Sequence, residues 1–543
     1  MDVFIKIILI FLLFFTPFAF AGAEPWGFSV LQGGVVLCWA LLLFSRRHII
    51  FSSLFKPVVF VLGFLIILTL VQLCSPKTLL DRVVAHPITL MPLYSWEHIS
   101  LFITYLAATA LIPQLYKSQD EVQKLLFWVI ASVAAVGLCF ASFPKGDYIF
   151  HLAGLRKGVG PFLNRNHAAI FFVLGALATL GTFFTAQLRG RKFISRRGRN
   201  AFYIQQGCLL VVFIGLAVAA IMTRSRGGML SLTSGIFCYA FLCVWAVPHQ
   251  LRKRLRGFFI VLVWLVLTVG WAYTHVEDIN AFANRSADVS SEIRKMMYRS
   301  AERLLDEHPV WGIGIGAMPV AITSYTEWPL NSYIERLHND WLEILLGIGY
   351  AGAVPVIIGL FWFIFLVLKR LKRLEVRKQF LFAALLSALL AMCIGSLVDF
   401  HFFIPANAFL FSVLLGSVCA ATYAKHHIHQ IQLAMWLRVL LLVVLGLSMY
   451  IPTQKTRAWR NVVFGRGLKT PAKLALYEQS VRQYPSPRYA VRLGNAYLNA
   501  SHHASIPAEK TALRGKAFEI STVYLRRYPR EKELSHLYLR SRP

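Results

Sequence analysis

The stretch YIQQGCLLVVFIGLAVAAIMTRSRGGMLSLTSGIFCYAFLCVWAV (203–247) decides the fold. It holds two apolar runs of about 20 residues, the length a helix needs to cross a hydrocarbon core about 30 Å thick. The six residues Thr223–Gly228 between them have room only to turn at the membrane surface. The same pattern recurs along the chain and predicts thirteen spans: 3–23, 27–45, 57–74, 98–116, 125–143, 167–187, 203–222, 229–247, 258–274, 342–368, 379–398, 407–424 and 433–451. The whole 543-residue chain is 57% hydrophobic and 15% charged, with a mean hydropathy of +0.60. Soluble domains carry about 25% charged residues. The expected fold class is all-α and polytopic, because a helix satisfies its own backbone inside lipid.

The formal net charge of +31 points to nucleic acid only in a soluble protein. Here much of the charge sits in short connections. The even-numbered connections hold Arg46 and Arg47, the run Arg189–Arg199, the run Arg252–Arg256 and the run Lys369–Lys378, and 22 Lys/Arg altogether. The short odd ones hold eight. Positive charge stays in the cytoplasm, so the odd connections, the long segment 275–341 and the tail after 452 are expected in the periplasm, where there is no ATP and no soluble nucleotide-sugar pool. Lys6 and the small residues Ala19, Ala21 and Ala23 also fit a cleavable signal peptide over 3–23. The eight cysteines lie in or at the ends of apolar runs, without metal spacing or a disulfide framework.

Ionisable residues are scarce at mid-span, where an ion-coupled transporter needs them, and crowd the outer edges instead. The first cluster is Asn164, Arg165, Asn166 and His167. The second is Arg224 and Arg226 in the six-residue turn. Arginines at span ends ordinarily reach for lipid phosphates. Two guanidinium groups beside the permissive Gly227-Gly228 also suit a diphosphate, because each can bind a phosphate through two hydrogen bonds. The third cluster lies in 275–341. Residues 288–307 are expected to form an amphipathic helix capped by Asp288 or Ser290. His308-Pro309 ends it, and Gly312, Gly314 and Gly316 follow, suited to packing backbone against a bulky ligand. At the mouth of the tenth span stand Arg336, His338, Asn339 and Asp340. A lone histidine is most often structural, and a metal site built from His338, Asp340 and Glu343 matches no standard motif. Asp399 and His401 are second-rank candidates for the same cavity, with a local cap as their ordinary role.

Beyond Ile451 hydropathy falls. Leu474, Tyr477, Val481 and Tyr484, then Tyr489, Leu493 and Tyr497, follow helical spacing, and Tyr-Pro pairs recur at 484–485 and 528–529. This pattern resembles tetratricopeptide helix pairs, although its 44-residue spacing exceeds their 34. The tail's basic surplus suits either anionic lipid head groups or an envelope-assembly partner, or an anionic glycan, held through residues 471–543.

With these clusters in place, the sequence resembles the O-antigen ligase and polymerase superfamily of bacterial envelope glycosyltransferases. The matching strings are FLNRNHAA (162–169), TRSRGG (223–228), HPVWGIGIGAM (308–318) and LHNDWLEILLGIGYAGA (337–353), in that order, within roughly 150–415. The resemblance implies a multi-pass protein of the bacterial inner membrane with GT-C-like architecture. It implies transfer of a glycan from an undecaprenyl diphosphate carrier to a glycan or lipid acceptor, with no metal, cofactor or nucleic acid, and with inversion. On this reading Arg224, Arg226 and Arg165 bind the diphosphate. His338 acts on the acceptor, with Asp340 or Asn339 fixing its tautomer, while Asn164, Asn166, Asn339, Gly314 and Gly316 position substrate. The expected organisation is 1–149 for the N-terminal spans, 150–424 for the ligase/polymerase-like core with loop 275–341, 425–451 for the last span and 452–543 for the periplasmic basic tail. Polymerisation of carrier-linked repeats is the alternative within the same chemistry. A glycan transporter is the alternative from another class, and the missing mid-span charges argue against it.

Overall fold

The structure, a computed structural model, describes residues 1–46, 48–74, 89–142, 159–187, 196–246, 277–322, 325, 334–421, 428–527 and 532–542. The expected span 258–274 and the second Tyr-Pro pair lie outside them. The chain is an all-α polytopic membrane protein. Its helices begin with α1 (Asp2–Phe18), α2 (Pro25–Ser45), α3 (Phe55–Cys74), α4 (Pro92–Leu115), α5 (Gln119–Ser142), α6 (Arg165–Gln187), α7 (Arg196–Met222) and α8 (Arg226–Ala246). After the segment helix α9 (Glu277–Glu307) come α10 (Asp340–Leu371), α11 (Val376–Gly395), α12 (Pro405–Ala421) and α13 (Met435–Ser448). The tail holds α14 (Tyr450–Gly465), α15 (Thr470–Gln483), α16 (Pro487–His503), α17 (Pro507–Arg527) and α18 (Lys532–Ser541). Among the described residues, ten helices are long and apolar enough to cross a membrane, with Met435–Gly465 counted as one.

Helix α6 is the axis of the bundle and is buried along nearly its whole length. Between lipid-soluble helices close packing replaces the hydrophobic effect, so small residues mark the contacts. Gly181 faces Ala384 of α11 so closely that an added Cβ would come within 2.3 Å of the alanine's own.

The chain ends of the helices sort into two edges. At one edge a feature absent from the sequence reading appears, a two-stranded antiparallel ladder of β1 (His48–Ser52) and β2 (Ile428–Gln432), with Ile50 opposite Gln430. Gln114 at the end of α4 pins it, donating to Ile50 O at 2.7 Å and accepting from Ile50 N at 2.8 Å. Arg377 bonds Asp120 at 2.8 Å at the same edge. The opposite edge gathers the connections around 20–25, 160–166, 223–226 and 396–404, together with the tail.

Two features of 277–349 depart from expectation. Helix α9 begins at Glu277, a dozen residues before the expected caps Asp288 and Ser290, which therefore lie inside it. No glycine or proline interrupts 277–307, and the acids at 277 and 278 favour a helix N-terminus. Its buried stripe is Met297, Ala301, Leu304 and Leu305. Helix α10 is broken at Gly349, whose φ is +64°. The freed carbonyls of Leu346 and Gly347 accept from Ile313 N at 2.9 Å and Gly314 N at 3.2 Å. The freed amides of Tyr350 and Ala351 donate to Pro309 O at 2.8 Å and Val310 O at 3.1 Å. Gln72 adds 2.8 Å bonds to Trp311 O and Gly347 O. Non-helical backbone at this depth is tolerated where protein satisfies it. The glycine-rich 312–316 segment is that satisfying partner.

Candidate active site

Asp399 is the centre of the cluster. It sits in the connection 396–404 between α11 and α12, 1% exposed. Its Oδ1 accepts from His338 Nδ1 at 2.8 Å and from Phe400 N at 2.9 Å. Its Oδ2 accepts from the side-chain amide of Asn166, on the first turn of α6. His167 Nε2 stands 3.9 Å from Oδ1. Burial alone would raise this carboxyl, but the His338 hydrogen bond and the imidazoles of His167, His401 and His338 hold it well below the usual carboxylate range. An ionised carboxylate accepts, so His338 carries its proton on Nδ1 and presents a basic Nε2.

His338 is half-buried, with φ +54°. Its carbonyl accepts from Tyr298 of α9 at 3.3 Å, and its ring meets Phe400 edge-on with centroids 5.0 Å apart. Arg336, two residues earlier, bonds Glu343 at 2.5 Å and lies 3.9 Å over the Phe403 ring. Burial works against the Arg336 charge, and the Glu343 carboxylate outweighs it and raises the guanidinium's pKa.

The two residues expected to fix the tautomer are occupied elsewhere. Asp340, 0% exposed, accepts from His401 N at 2.7 Å and Phe402 N at 3.0 Å, fastening the 396–404 turn to α10. Asn339 caps α10 by accepting from Leu342 N at 3.0 Å. The second-rank Asp399 makes the His338 contact expected of them. His401 is fully buried, and neither ring nitrogen has a hydrogen-bond partner among the described residues. Burial pushes it down to about 4, against the pull of Asp399. Its ring lies 5.6 Å from that of His167.

The arginine turn reaches this cluster through its glycines. Gly227 lies against Val398, whose Cγ2 would be 3.0 Å from an added Cβ, and Val398 adjoins Asp399. Gly228 lies against Ala169 of α6 in the same way, at 2.4 Å. Ser225 is buried and accepts from Gly228 N at 3.0 Å, which turns Arg224 and Arg226 outward, both exposed. Arg224 also has a left-handed backbone, φ +56°. Such residues cost of order 1–3 kcal/mol and concentrate at working sites. Asn164 caps α6, accepting from Asn166 N at 2.9 Å, and leaves Arg165 exposed beside Asn166.

Residues 210–357 match the family model described as O-antigen ligase. Over that stretch, about a quarter of its length, the chain is similar to the O-antigen ligase superfamily. No curated protein matches the chain. The matched stretch includes Arg224, Arg226, His338 and Asp340, whereas Asn166 and Asp399 lie outside it. Gly314 and Gly316, with φ of +92° and +85°, pack on protein: an added Cβ would stand 2.2 Å from Thr89 Oγ1 and 2.5 Å from His98 Nδ1. Sequence reading passed over Tyr298, and it left His167 without a role. Their signals were present in the Asn-Arg-Asn-His string and in the polar tyrosine on a buried helix face.

Proposed function

We propose that this chain transfers a glycan from an undecaprenyl diphosphate carrier to a glycan or lipid acceptor at the periplasmic face of the bacterial inner membrane, as a ligase of envelope polysaccharide synthesis. The family indicates glycosyl transfer of the ligase or polymerase type. The observation that carries the finer reading is the His338–Asp399 pair at the foot of the arginine turn.

A lipid diphosphate is already an activated leaving group, so the protein has two tasks. It must neutralise charge gathering on the departing diphosphate and remove a proton from the attacking hydroxyl. Arg224 and Arg226, with Arg165 across the turn, supply the cations. The acceptor oxygen bonds to the anomeric carbon as its proton passes to His338 Nε2, and the bond from that carbon to the diphosphate oxygen breaks. Asp399 stabilises the imidazolium that results. A single in-line displacement of this kind inverts the anomeric centre, and it routes no step through a metal or cofactor.

The test is transfer in membranes carrying variants. His338→Ala should lower turnover by about 10²–10⁴-fold, the usual contribution of a positioned base. Arg224→Ala and Arg226→Ala should abolish transfer while insertion is retained. Near-wild-type transfer by either class rejects its assigned role. In a deletion strain, full-length chains stranded on the carrier indicate ligation, and single repeat units left there indicate polymerisation.

A further inference from the structure

The tail does not stand apart from the site. One buried apolar cluster contains Ala490 of α16, Tyr524 of α17 and Leu534 of α18, together with Met297, Ala301 and Leu304 of α9 and Ile334 and Leu337 just ahead of His338. Ala490, Leu534 and Leu337 are each 0% exposed. Around this cluster the tail's charge meets acids of the rest of the chain. Arg488 pairs with Glu335, three residues before His338. Lys455 Nζ lies 2.7 Å from Glu97 of α4, which also accepts from the Tyr484 hydroxyl. Thr456 bonds Ser29 of α2 at 2.8 Å.

We propose that the C-terminal helices are an intramolecular buttress that positions His338. Two routes lead from the tail to it. One runs through Glu335 and Leu337 in its own strand of chain. The other runs through α9, whose Met297 and Ala301 share the buried cluster with Ala490, Tyr524 and Leu534 of the tail while the adjacent Tyr298 donates to the His338 carbonyl. A left-handed histidine backbone persists only where its surroundings hold it, and residues 334–338 have no regular secondary structure of their own. Leu534 and Arg488 are therefore positioning residues for the base. The basic inner face of the tail is engaged with this molecule's own carboxylates. This inference rests on the catalytic role given above to His338, but the docking itself is measurable without it.

The test uses the full-length protein in detergent or nanodiscs. Leu534→Asp puts a charge into the cluster, while Leu539→Asp, at a position 63% exposed on the same helix, is the control. Leu534→Asp should expose the tail to protease, raise backbone hydrogen exchange across 334–340, and lower kcat at least tenfold with the donor KM retained. Leu539→Asp should change none of these. Arg488→Glu should lower kcat about two- to fivefold, the size of an exposed ion pair, and adding Glu335→Arg should restore it. That pair serves if Leu534→Asp does not accumulate. A protease-exposed tail with unchanged exchange at 334–340 and unchanged kcat overturns the buttress. Raised exchange in a protein whose wild type transfers no glycan retains the buttress and rejects the enzymatic reading.

Discussion

Asp399 has lost its water and kept its charge, because three hydrogen bonds from His338, Asn166 and Phe400 replace the solvation that burial removed. Asp399→Asn preserves the shape and removes the charge, so Nδ1 of His338 is no longer held as the donor. Turnover should fall about 10²–10⁴-fold with the donor KM little changed, since the arginines proposed to hold the diphosphate are left intact. Steady-state kinetics over donor concentration reads the split, and a rise in KM at constant kcat would place Asp399 in donor binding instead. His401 gives a pH signature of its own. It is held at about 4 in the fold and titrates near 6.5 when unfolded. Between those values the unfolded chain binds more protons, so this residue makes stability fall as pH drops through the window. The Asp399 shift has the opposite ionic origin. Its stabilising share is complete above the ordinary carboxyl value near 3.9 and is lost only below it. The His401 share of the stability should therefore decline from pH 7 to pH 5, and His401→Gln should remove it, read as the difference between the variant and wild-type melting profiles. An unchanged slope would mean that His401 is solvated.

At the scale of elements, the break in α10 is a joint whose carbonyls at 346 and 347 and amides at 350 and 351 are answered by 309–314, with Gln72 adding a bond to Gly347 O. Gly349→Ala meets two penalties. Its φ of +64° with ψ of −177° lies in a region essentially confined to glycine, where another residue costs of order 1–3 kcal/mol, and the new Cβ would stand 2.3 Å from Val310 O. The expected result is a lower melting temperature and weaker transfer, read by thermal unfolding of the purified protein. Full stability would show that the helix runs straight through. This joint also marks what the sequence could and could not show. Each apolar run announces its helix through its length, so the order of spans was legible, and so was the apolar stripe of α9. The glycines of 312–316 announced tight backbone but not its partner, which lies more than thirty residues on in a run that reads as uninterrupted helix. The carboxylate facing His338 was hidden for a related reason. Asp340 is two residues away in sequence, Asp399 sixty-one, and only the docking of α11 on α10 decides between them. The β1–β2 ladder joins five-residue segments nearly four hundred residues apart, and neither segment stands out beside the spans it flanks.

For the whole molecule, the two edges make orientation a single yes-or-no question. Gln114 with the β ladder and Arg377 with Asp120 share one edge, and they are flanked by the connections richest in lysine and arginine. The arginine turn, the Asp399 cluster and the tail share the other. Moving one loop across the membrane moves its whole edge, because the helices between are packed spans. The bias in positive charge favours a periplasmic site edge, which is the side the proposed chemistry needs for its carrier-linked glycan. In a cysteine-free background, Arg482→Cys, at a side chain 82% exposed, should react with a membrane-impermeant maleimide in intact spheroplasts. Glu375→Cys, at a side chain 76% exposed, should react only after lysis. The reverse pattern would put His338 and Arg224 in the cytosol and remove the donor from reach. Labelling at both positions before lysis would mean that the two edges are not separated by a bilayer, and the bundle would then need a different reading from its first span onward.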